Sequence, residues 1–303
     1  MKIKKYILPT IIVVFWAVMM VFLVKDYYII PKLLAKAKPL DKKSLKDNFK
    51  PIEEWMLIKE YGKAVGPFVM KIDLNDKHDG FIAVLRLKFK LFSLPILISA
   101  DAKAELDENF DLDLFYLKFQ APMANIFTKG IINDNYLYLY ILNNENLYKK
   151  IITLNGKISL YDMIKPLAAK GIDLKNGQMY KMPVFDPVWS MQNGDITMKS
   201  LGEEPIIVNG KNFNSYKIET KFKDVVRYMW VDDGGNILRQ ELWGNTIMER
   251  ASKEEVVSLF PEMAQELAFP EIAKINNFKK SDIKILDNNT EKGILDIIKN
   301  DKN

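Results

Sequence analysis

The sequence contains no cysteine and a single histidine, His78, and each shortage excludes a class of site. Without cysteine there is no disulfide, no thiol nucleophile, no cysteine-ligated zinc or iron–sulfur cluster, and no lipoprotein signal, which needs an acceptor cysteine. A lone histidine is a poor anchor for a metal ion. His78 lies in the polar stretch 75–80 (NDKHDG), which is typical of a turn between strands.

Sequence motifs of catalysis are missing as well: there is no GxSxG, HExxH or phosphate-binding glycine loop. Asp232 and Asp233 resemble a paired-carboxylate site, but two glycines follow them, so a hairpin turn is the simpler interpretation. The 44 basic residues are interspersed with 39 acidic ones and form no stripe that would bind nucleic acid. The sequence therefore predicts no catalytic residue, metal site, cofactor or nucleic-acid partner, and an enzyme is the least favoured class of function.

One long uncharged segment is present near the start of the chain. Residues 6–24 (YILPTIIVVFWAVMMVFLV) follow three lysines and match the ~20 apolar residues that a helix needs to cross a bilayer. A cleavable signal peptide is the alternative, but its apolar region is shorter, roughly 7–15 residues, and ends in a small-x-small site. We expect a retained transmembrane anchor over residues 1–30, with these side chains in contact with the lipid bilayer: Ile7, Phe15, Trp16 and Val24.

Positive charge flanks both ends of this segment and gives no clear orientation by itself. A long C-terminal domain is translocated largely regardless of loop charge, and the N-terminal lysines are tightly clustered, so we expect that domain outside the cytoplasm. Residues 31–52 form a basic stem. The stem is expected to be solvated and partly helical; contact with anionic lipid headgroups is the alternative.

Alternation of apolar and polar residues with a period of two dominates the rest of the chain. It is clear at residues 81–92 (FIAVLRLKFKLF), 110–120 (FDLDLFYLKFQ) and 136–142 (YLYLYIL). Asn-Gly pairs at 155, 193 and 209 and Asp-Gly at 233 fall near joins between such runs, as hairpin turns do. We expect eleven to thirteen strands in an antiparallel β domain over residues 53–260, too many for one flat sheet.

Helical signals are few. Residues 159–169 begin with Ser159 as a cap and carry Asp162 at the spacing of a capping box. Residues 252–260 begin with Ser252 and end before Pro261, and residues 261–303 are expected to form a C-terminal tail. The predicted fold class is mainly β: an N-terminal transmembrane helix, then a curved, half-barrel-like antiparallel sheet with two or three short helices.

Two stretches together carry a resemblance to known bacterial proteins. They are residues 53–72 (EEWMLIKEYGKAVGPFVMKI) and residues 182–250, which include an FDP segment and the pattern W-V-D-x-x-G-x-I-L-R-x-E. Their order resembles the β-rich domain of uncharacterised bacterial envelope proteins, the module that precedes some bacterial transglutaminase-like domains, and the half-barrels of periplasmic lipoprotein carriers. The resemblance implies a curved sheet that wraps helices and often holds an acyl chain or lipid. It departs from these families in two respects: the transglutaminase cysteine is absent, and a carrier has a cleaved signal whereas this chain is expected to stay tethered.

The candidate ligand-binding residues are aromatic and lie in the second stretch: Phe185, Trp189, Trp230 and Trp243. They could line an apolar cavity on the concave face of the sheet, or they could simply be core. We expect a single-pass protein of the bacterial inner membrane that acts as an extracytoplasmic binding module for a lipid or another apolar ligand. The alternative is a structural or assembly partner of other envelope proteins in a larger membrane complex.

Overall fold

The computed structural model describes residues 4–24, 36–93, 96–144, 146–175, 177–187 and 192–267. In this part of the chain the helices are α1 (Lys4–Val24), α2 (Lys42–Asp47), α3 (Tyr161–Gly171), α4 (Lys253–Leu259) and α5 (Pro261–Leu267). The first nine strands are β1 (Lys38–Pro39), β2 (Ile52–Glu60), β3 (Lys63–Leu74), β4 (Gly80–Lys90), β5 (Leu97–Asp107), β6 (Leu112–Ala121), β7 (Ala124–Asn133), β8 (Tyr136–Asn143) and β9 (Asn146–Thr153). The others are β10 (Ser159–Leu160), β11 (Met179–Asp186), β12 (Gln192–Glu203), β13 (Ile206–Val208), β14 (Lys211–Phe213), β15 (Tyr216–Phe222), β16 (Val225–Val231), β17 (Ile237–Glu241) and β18 (Thr246–Arg250).

Sixteen of these strands form one open sheet. Its order is β1-β11-β12-β15-β16-β17-β18-β2-β3-β4-β5-β6-β7-β8-β9, with β10 beside β11, and β13 and β14 form a separate hairpin. All neighbours in the large sheet are antiparallel except for the two short strands β1 and β10, which run parallel to β11. The prediction of a mainly β fold is confirmed.

The sheet is strongly curved, as one aromatic contact shows. Phe115 on β6 and Phe185 on β11 belong to strands ten steps apart in the sheet order, which would be about 48 Å in a flat sheet. Their ring centroids are 5.9 Å apart. The strands therefore curl until the two sides of the sheet meet across a shared apolar core.

Helix α3 fills part of the concave side of this sheet. Its residues Met163, Ile164 and Leu167 are buried in the main core cluster. The last turn of α3 packs against the β16–β17 turn so closely that a Cβ at Gly235 would stand 2.7 Å from the Ala169 carbonyl oxygen. This contact holds the C-terminal end of α3 against the rim of the sheet.

Two smaller elements cover the convex face. Helices α4 and α5 bury Trp55 and Leu57 of β2 beneath Val256 and Leu267. The β13–β14 hairpin, whose Asn209 adopts a positive φ of 48°, covers Trp230. The Asn-Gly turn expected at this hairpin is confirmed.

Several local predictions are corrected by the register. Asn193–Gly194 lies within β12, opposite Phe185 and Val184, and is not a turn. Ser159 does not cap α3: it lies in β10, where its hydroxyl donates to the Phe110 carbonyl oxygen at 2.7 Å, and the residue before the helix is an extended Leu160. Ser252 does cap α4, accepting a hydrogen bond from the Glu255 amide at 3.1 Å.

The packed domain extends beyond residues 53–260 at both ends. In the expected stem, β1 pairs with β11, and Leu40 and Leu45 are buried in the core. Two stem lysines contact acidic groups of the β5–β6 turn, Lys42 with Asp111 and Lys46 with Glu108. After Pro261, α5 continues the packed structure to Leu267; the rest of the expected tail lies outside the described residues.

Helix α1 covers the uncharged N-terminal segment. Its side chains are described at positions 12–21 and 24, where Phe15 and Trp16 are 65% and 64% exposed and Val24 is also exposed; the side chain of Ile7 is outside this set. Among the described residues, no helix is both long enough and apolar enough to cross a membrane.

Candidate functional site

A cavity of about 330 Å³ lies between α3 and the concave face of the sheet. Its wall is formed mainly by aliphatic, aromatic and methionine side chains of β2 to β6, β17 and β18, with Leu160, Met163 and Pro166 from the α3 side. The charged residues on the wall are Glu54, Asp162, Lys165 and Arg227. This composition suits a molecule that is largely apolar and carries few polar groups.

Strand β5 creates much of this space because its inward-facing residues are small. Ala100 and Ala102 line the cavity where longer side chains would fill it. On the neighbouring strand β4, Leu85 and Leu87 also line the cavity. They are only partly buried, although they face the interior of the curved sheet. A row of alanines beside leucines thus leaves an accessible apolar surface inside the domain.

One carboxyl group faces the cavity without a described partner. Along β2, Ile52, Glu54 and Met56 share the concave face, while Trp55 packs on the convex side. Glu54 is 5% exposed, and its Oε2 atom accepts no hydrogen bond within the described part of the chain. Burial raises the pKa of Glu54 to about 7; Arg250 and Lys170 oppose this rise, and Asp232 adds to it. Glu54 is therefore largely protonated below neutral pH.

The first turns of α3 bring an ion pair to the cavity wall. The Lys165 ammonium lies 2.7 Å from Asp162 Oδ1 and 4.2 Å from the centroid of the Tyr161 ring. Burial alone would lower the pKa of Lys165, but the charge and hydrogen bond of Asp162, together with Tyr161, outweigh it, so the pKa is raised above its usual value. Lys165 thus stays charged and already has its partner.

A third acidic residue fixes the segment after β4, which contributes Leu91 to the wall. Glu60 Oε2 accepts hydrogen bonds from the Phe92 amide at 2.5 Å and the Ser93 amide at 3.3 Å, and Oε1 accepts from the Ser93 hydroxyl. The hydrogen bond from Ser93 lowers the pKa of Glu60. Glu60 therefore holds this segment of the wall as an ionised, fully bonded carboxylate.

The structure separates the aromatic residues that the sequence grouped together. Trp243 lines the cavity and is 37% exposed. Phe185 is fully buried in the core behind Phe115, and Trp189 lies outside the described residues. Trp230 is on the convex face, where its Nε1 donates to Glu204 Oε1 at 2.9 Å, so it cannot line a concave cavity.

Other polar clusters have structural roles. Asp232 forms the β16–β17 turn, accepting hydrogen bonds from the amides of Gly234 at 3.0 Å and Asn236 at 2.8 Å. His78 is exposed in the β3–β4 turn with a φ of 58°. Across the described residues, no group of three or more histidine or acidic side chains is placed to hold a metal ion.

Comparisons with known proteins give structural neighbours alone. No protein-family model and no curated protein matches this chain. A β-barrel-like protein of domain of unknown function DUF1849 from Brucella abortus is similar in structure, with a TM-score of 0.44, 9% identity, and coverage of 66% of this chain and 93% of that one. A DUF1089 family protein from Pseudomonas aeruginosa aligns with a TM-score of 0.34 and 9% identity over 59% of this chain and 90% of that one.

Proposed function

We propose that this chain is a membrane-anchored binding module that holds a lipid or another apolar ligand in the concave side of its sheet. The observation that carries the proposal is the cavity of about 330 Å³ beside α3, which falls within the ~300–1,000 Å³ of typical ligand sites. A cavity lined by leucine, phenylalanine and methionine stays poorly hydrated, so an apolar chain can enter it without displacing strongly bound water.

The membrane part of the proposal rests on sequence. Residues 6–24 carry no charge, and the large domain that follows is proposed to lie outside the cytoplasm of a bacterial inner membrane. Tethering would keep the cavity within reach of the bilayer, the source of apolar ligands. No catalytic role is proposed, because the charged groups on the cavity wall form no pairing of a nucleophile with a base.

The test is lipid extraction from the purified full chain and from Ala102→Phe. The new ring would occupy the cavity, whereas Ala124→Phe, at the start of β7 and away from the cavity, is the matched control. We expect a bound lipid-like molecule in the wild type and the control, and its loss from Ala102→Phe. Lipid that merely surrounds an anchor would be the same in all three proteins, and that result would overturn the proposal.

The second candidate function is assembly with other envelope proteins, and one observation favours it. The described sheet ends at β9, where Tyr148 and Ile151 are 55% and 54% exposed. An edge strand with exposed apolar side chains can pair with a strand of another protein. If assembly is the function, Ile151→Lys should reduce crosslinked complexes in membranes and leave lipid recovery unchanged, whereas Ala102→Phe should change neither the complexes nor the lipid recovery.

A further inference from the structure

One buried carboxyl oxygen of the cavity wall has no hydrogen-bond partner among the described residues, and it lies on an otherwise apolar strand face. Glu54 belongs to the concave face of β2, whose next inward residues, Met56 and Ile58, also line the cavity. Its Oε2 atom is buried and accepts no hydrogen bond from the residues that the structure describes. Leaving a buried polar group unsatisfied is costly, so such a group is informative about what is missing from the site.

The other acidic groups at the wall are already engaged. Asp162 is paired with Lys165 at 2.7 Å, and Glu60, the last residue of β2, accepts hydrogen bonds from Phe92 and Ser93. Among the described residues, Glu54 is therefore the acidic group on this wall for whose buried oxygen a ligand atom would supply the absent hydrogen bond.

The charges around Glu54 indicate which kind of atom would meet it. Arg250 on the neighbouring strand β18 and Lys170 at the end of α3 are positive, and Asp232 of the β16–β17 turn is negative. Asp232 lies 3.8 Å from Arg250, which offsets part of its charge. Because two of these three charged groups are positive, their combined charge disfavours a cationic ligand group. It favours a ligand oxygen that accepts a hydrogen bond from the Glu54 carboxyl.

We infer that the ligand is an amphiphile whose apolar chain lies in the cavity and whose carbonyl or carboxyl oxygen accepts a hydrogen bond from Glu54. This inference rests on the proposed binding function and narrows it to acyl compounds such as long-chain acids and esters. Because burial raises the pKa of Glu54 to about 7, the carboxyl keeps its proton at neutral and acidic pH and can act as the donor.

The test uses the full chain in detergent micelles and a photoreactive analogue of hexadecane, with crosslinked residues located by mass spectrometry. Unlabelled hexadecane, methyl hexadecanoate and hexadecylamine compete with the analogue. The variants are Glu54→Gln, whose amide still donates a hydrogen bond, and Glu54→Leu, which cannot. Glu53→Gln is the matched control, because Glu53 lies on the opposite face of the same strand, where it accepts a hydrogen bond from Trp55 Nε1 at 2.9 Å.

We expect the ester to displace the analogue at about tenfold lower concentration than hexadecane in the wild type, Glu53→Gln and Glu54→Gln. In Glu54→Leu the ester and hexadecane should displace the analogue at the same concentration. Partition of the competitors into detergent cancels, because each variant is compared with the wild type under the same conditions. Equal competition in the wild type, a preference that persists in Glu54→Leu, or a preference for the amine would overturn the inference. Absence of any crosslink at the cavity in the wild type would instead overturn the binding function itself.

Discussion

Gly130 on β7 lies directly beneath the ring of Phe115 on β6, its partner across the strand pair. A Cβ at Gly130 would stand 2.0 Å from Phe115 Cε1, a separation that no packed side chain tolerates. The absence of a side chain at Gly130 therefore lets the Phe115 ring lie flat against the sheet, where it forms part of the cavity wall and contacts Phe185.

Replacing Gly130 by alanine should push the Phe115 ring into the cavity. Overpacking of this kind costs about 1–3 kcal/mol, and we expect a loss of that size in the free energy of unfolding measured with urea, together with weaker binding of apolar ligands. The double variant with Phe115→Leu should recover most of the stability, because the smaller side chain removes the clash. Unchanged stability in Gly130→Ala would contradict the packing described here.

The buried Glu54 carboxyl should make stability depend on pH in an unusual direction. In the unfolded chain it loses its proton near pH 4.5, whereas in the folded protein burial keeps the pKa at about 7. Between these values the folded state binds more protons, so the free energy of unfolding should fall as pH rises, by about 3 kcal/mol in total, and then level off.

The measurement is urea denaturation from pH 4.5 to 7.5 for the wild type and for Glu54→Gln. Other groups also titrate in this range, but they are common to both proteins, so the difference between the two curves isolates Glu54. A difference that stays constant across the range would show that Glu54 is not desolvated.

The pair of Asp162 and Lys165 gives a third prediction. Asp162→Asn leaves the buried Lys165 ammonium without its carboxylate, which lies 2.7 Å away. Loss of one partner of a fully buried pair costs 3–5 kcal/mol; because Asp162 is partly exposed, we expect about 2 kcal/mol. Adding Lys165→Met to this variant should restore stability, since a buried charge is then replaced by an apolar side chain. A double variant as unstable as Asp162→Asn would refute this account.

The two tryptophans that the sequence grouped together should respond differently to ligand. Trp243 lines the cavity, whereas Trp230 lies on the convex face beneath the β13–β14 hairpin. We expect ligand binding to change the intrinsic fluorescence of the wild type, Trp230→Phe to retain this change, and Trp243→Phe to lose most of it. If Trp230→Phe abolishes the change instead, the ligand occupies a site other than the cavity.

The strong alternation of β4, β6 and β8 was sufficient to predict these strands from sequence, whereas β5 was missed. Its sequence, LISADAKAELD, is rich in alanine and charged residues, which have low strand propensity. Pairing with β4 on one side and β6 on the other overrides this preference. Because β5 also supplies the alanines that line the cavity, the strand that shapes the site is one that strand propensity does not predict.

Glu54 was also missed, although a signal was present. The spacing of two places it on the same strand face as Ile52, Met56 and Ile58, so an acidic residue interrupts an apolar series. Trp230 shows the opposite case: it was a candidate for the cavity wall, but a separate hairpin covers it on the convex face. Which face a strand residue occupies depends on which elements pack on each side, and local periodicity does not contain that information.

The topology of the chain in the membrane is the last prediction. Residues 6–24 are uncharged and follow a cluster of three lysines, so the N-terminus should remain in the cytoplasm and the β domain should be exported. Alkaline phosphatase fused after Asn303 should be active, because it forms its disulfides only outside the cytoplasm, and green fluorescent protein at the same position should be dark. Deleting residues 1–30 is the control and should reverse both signals, since the segment that directs export is gone. An inactive phosphatase fusion together with a fluorescent green fluorescent protein fusion of the full chain would contradict export. A mature N-terminus near residue 25 would show a cleaved signal instead of a retained anchor.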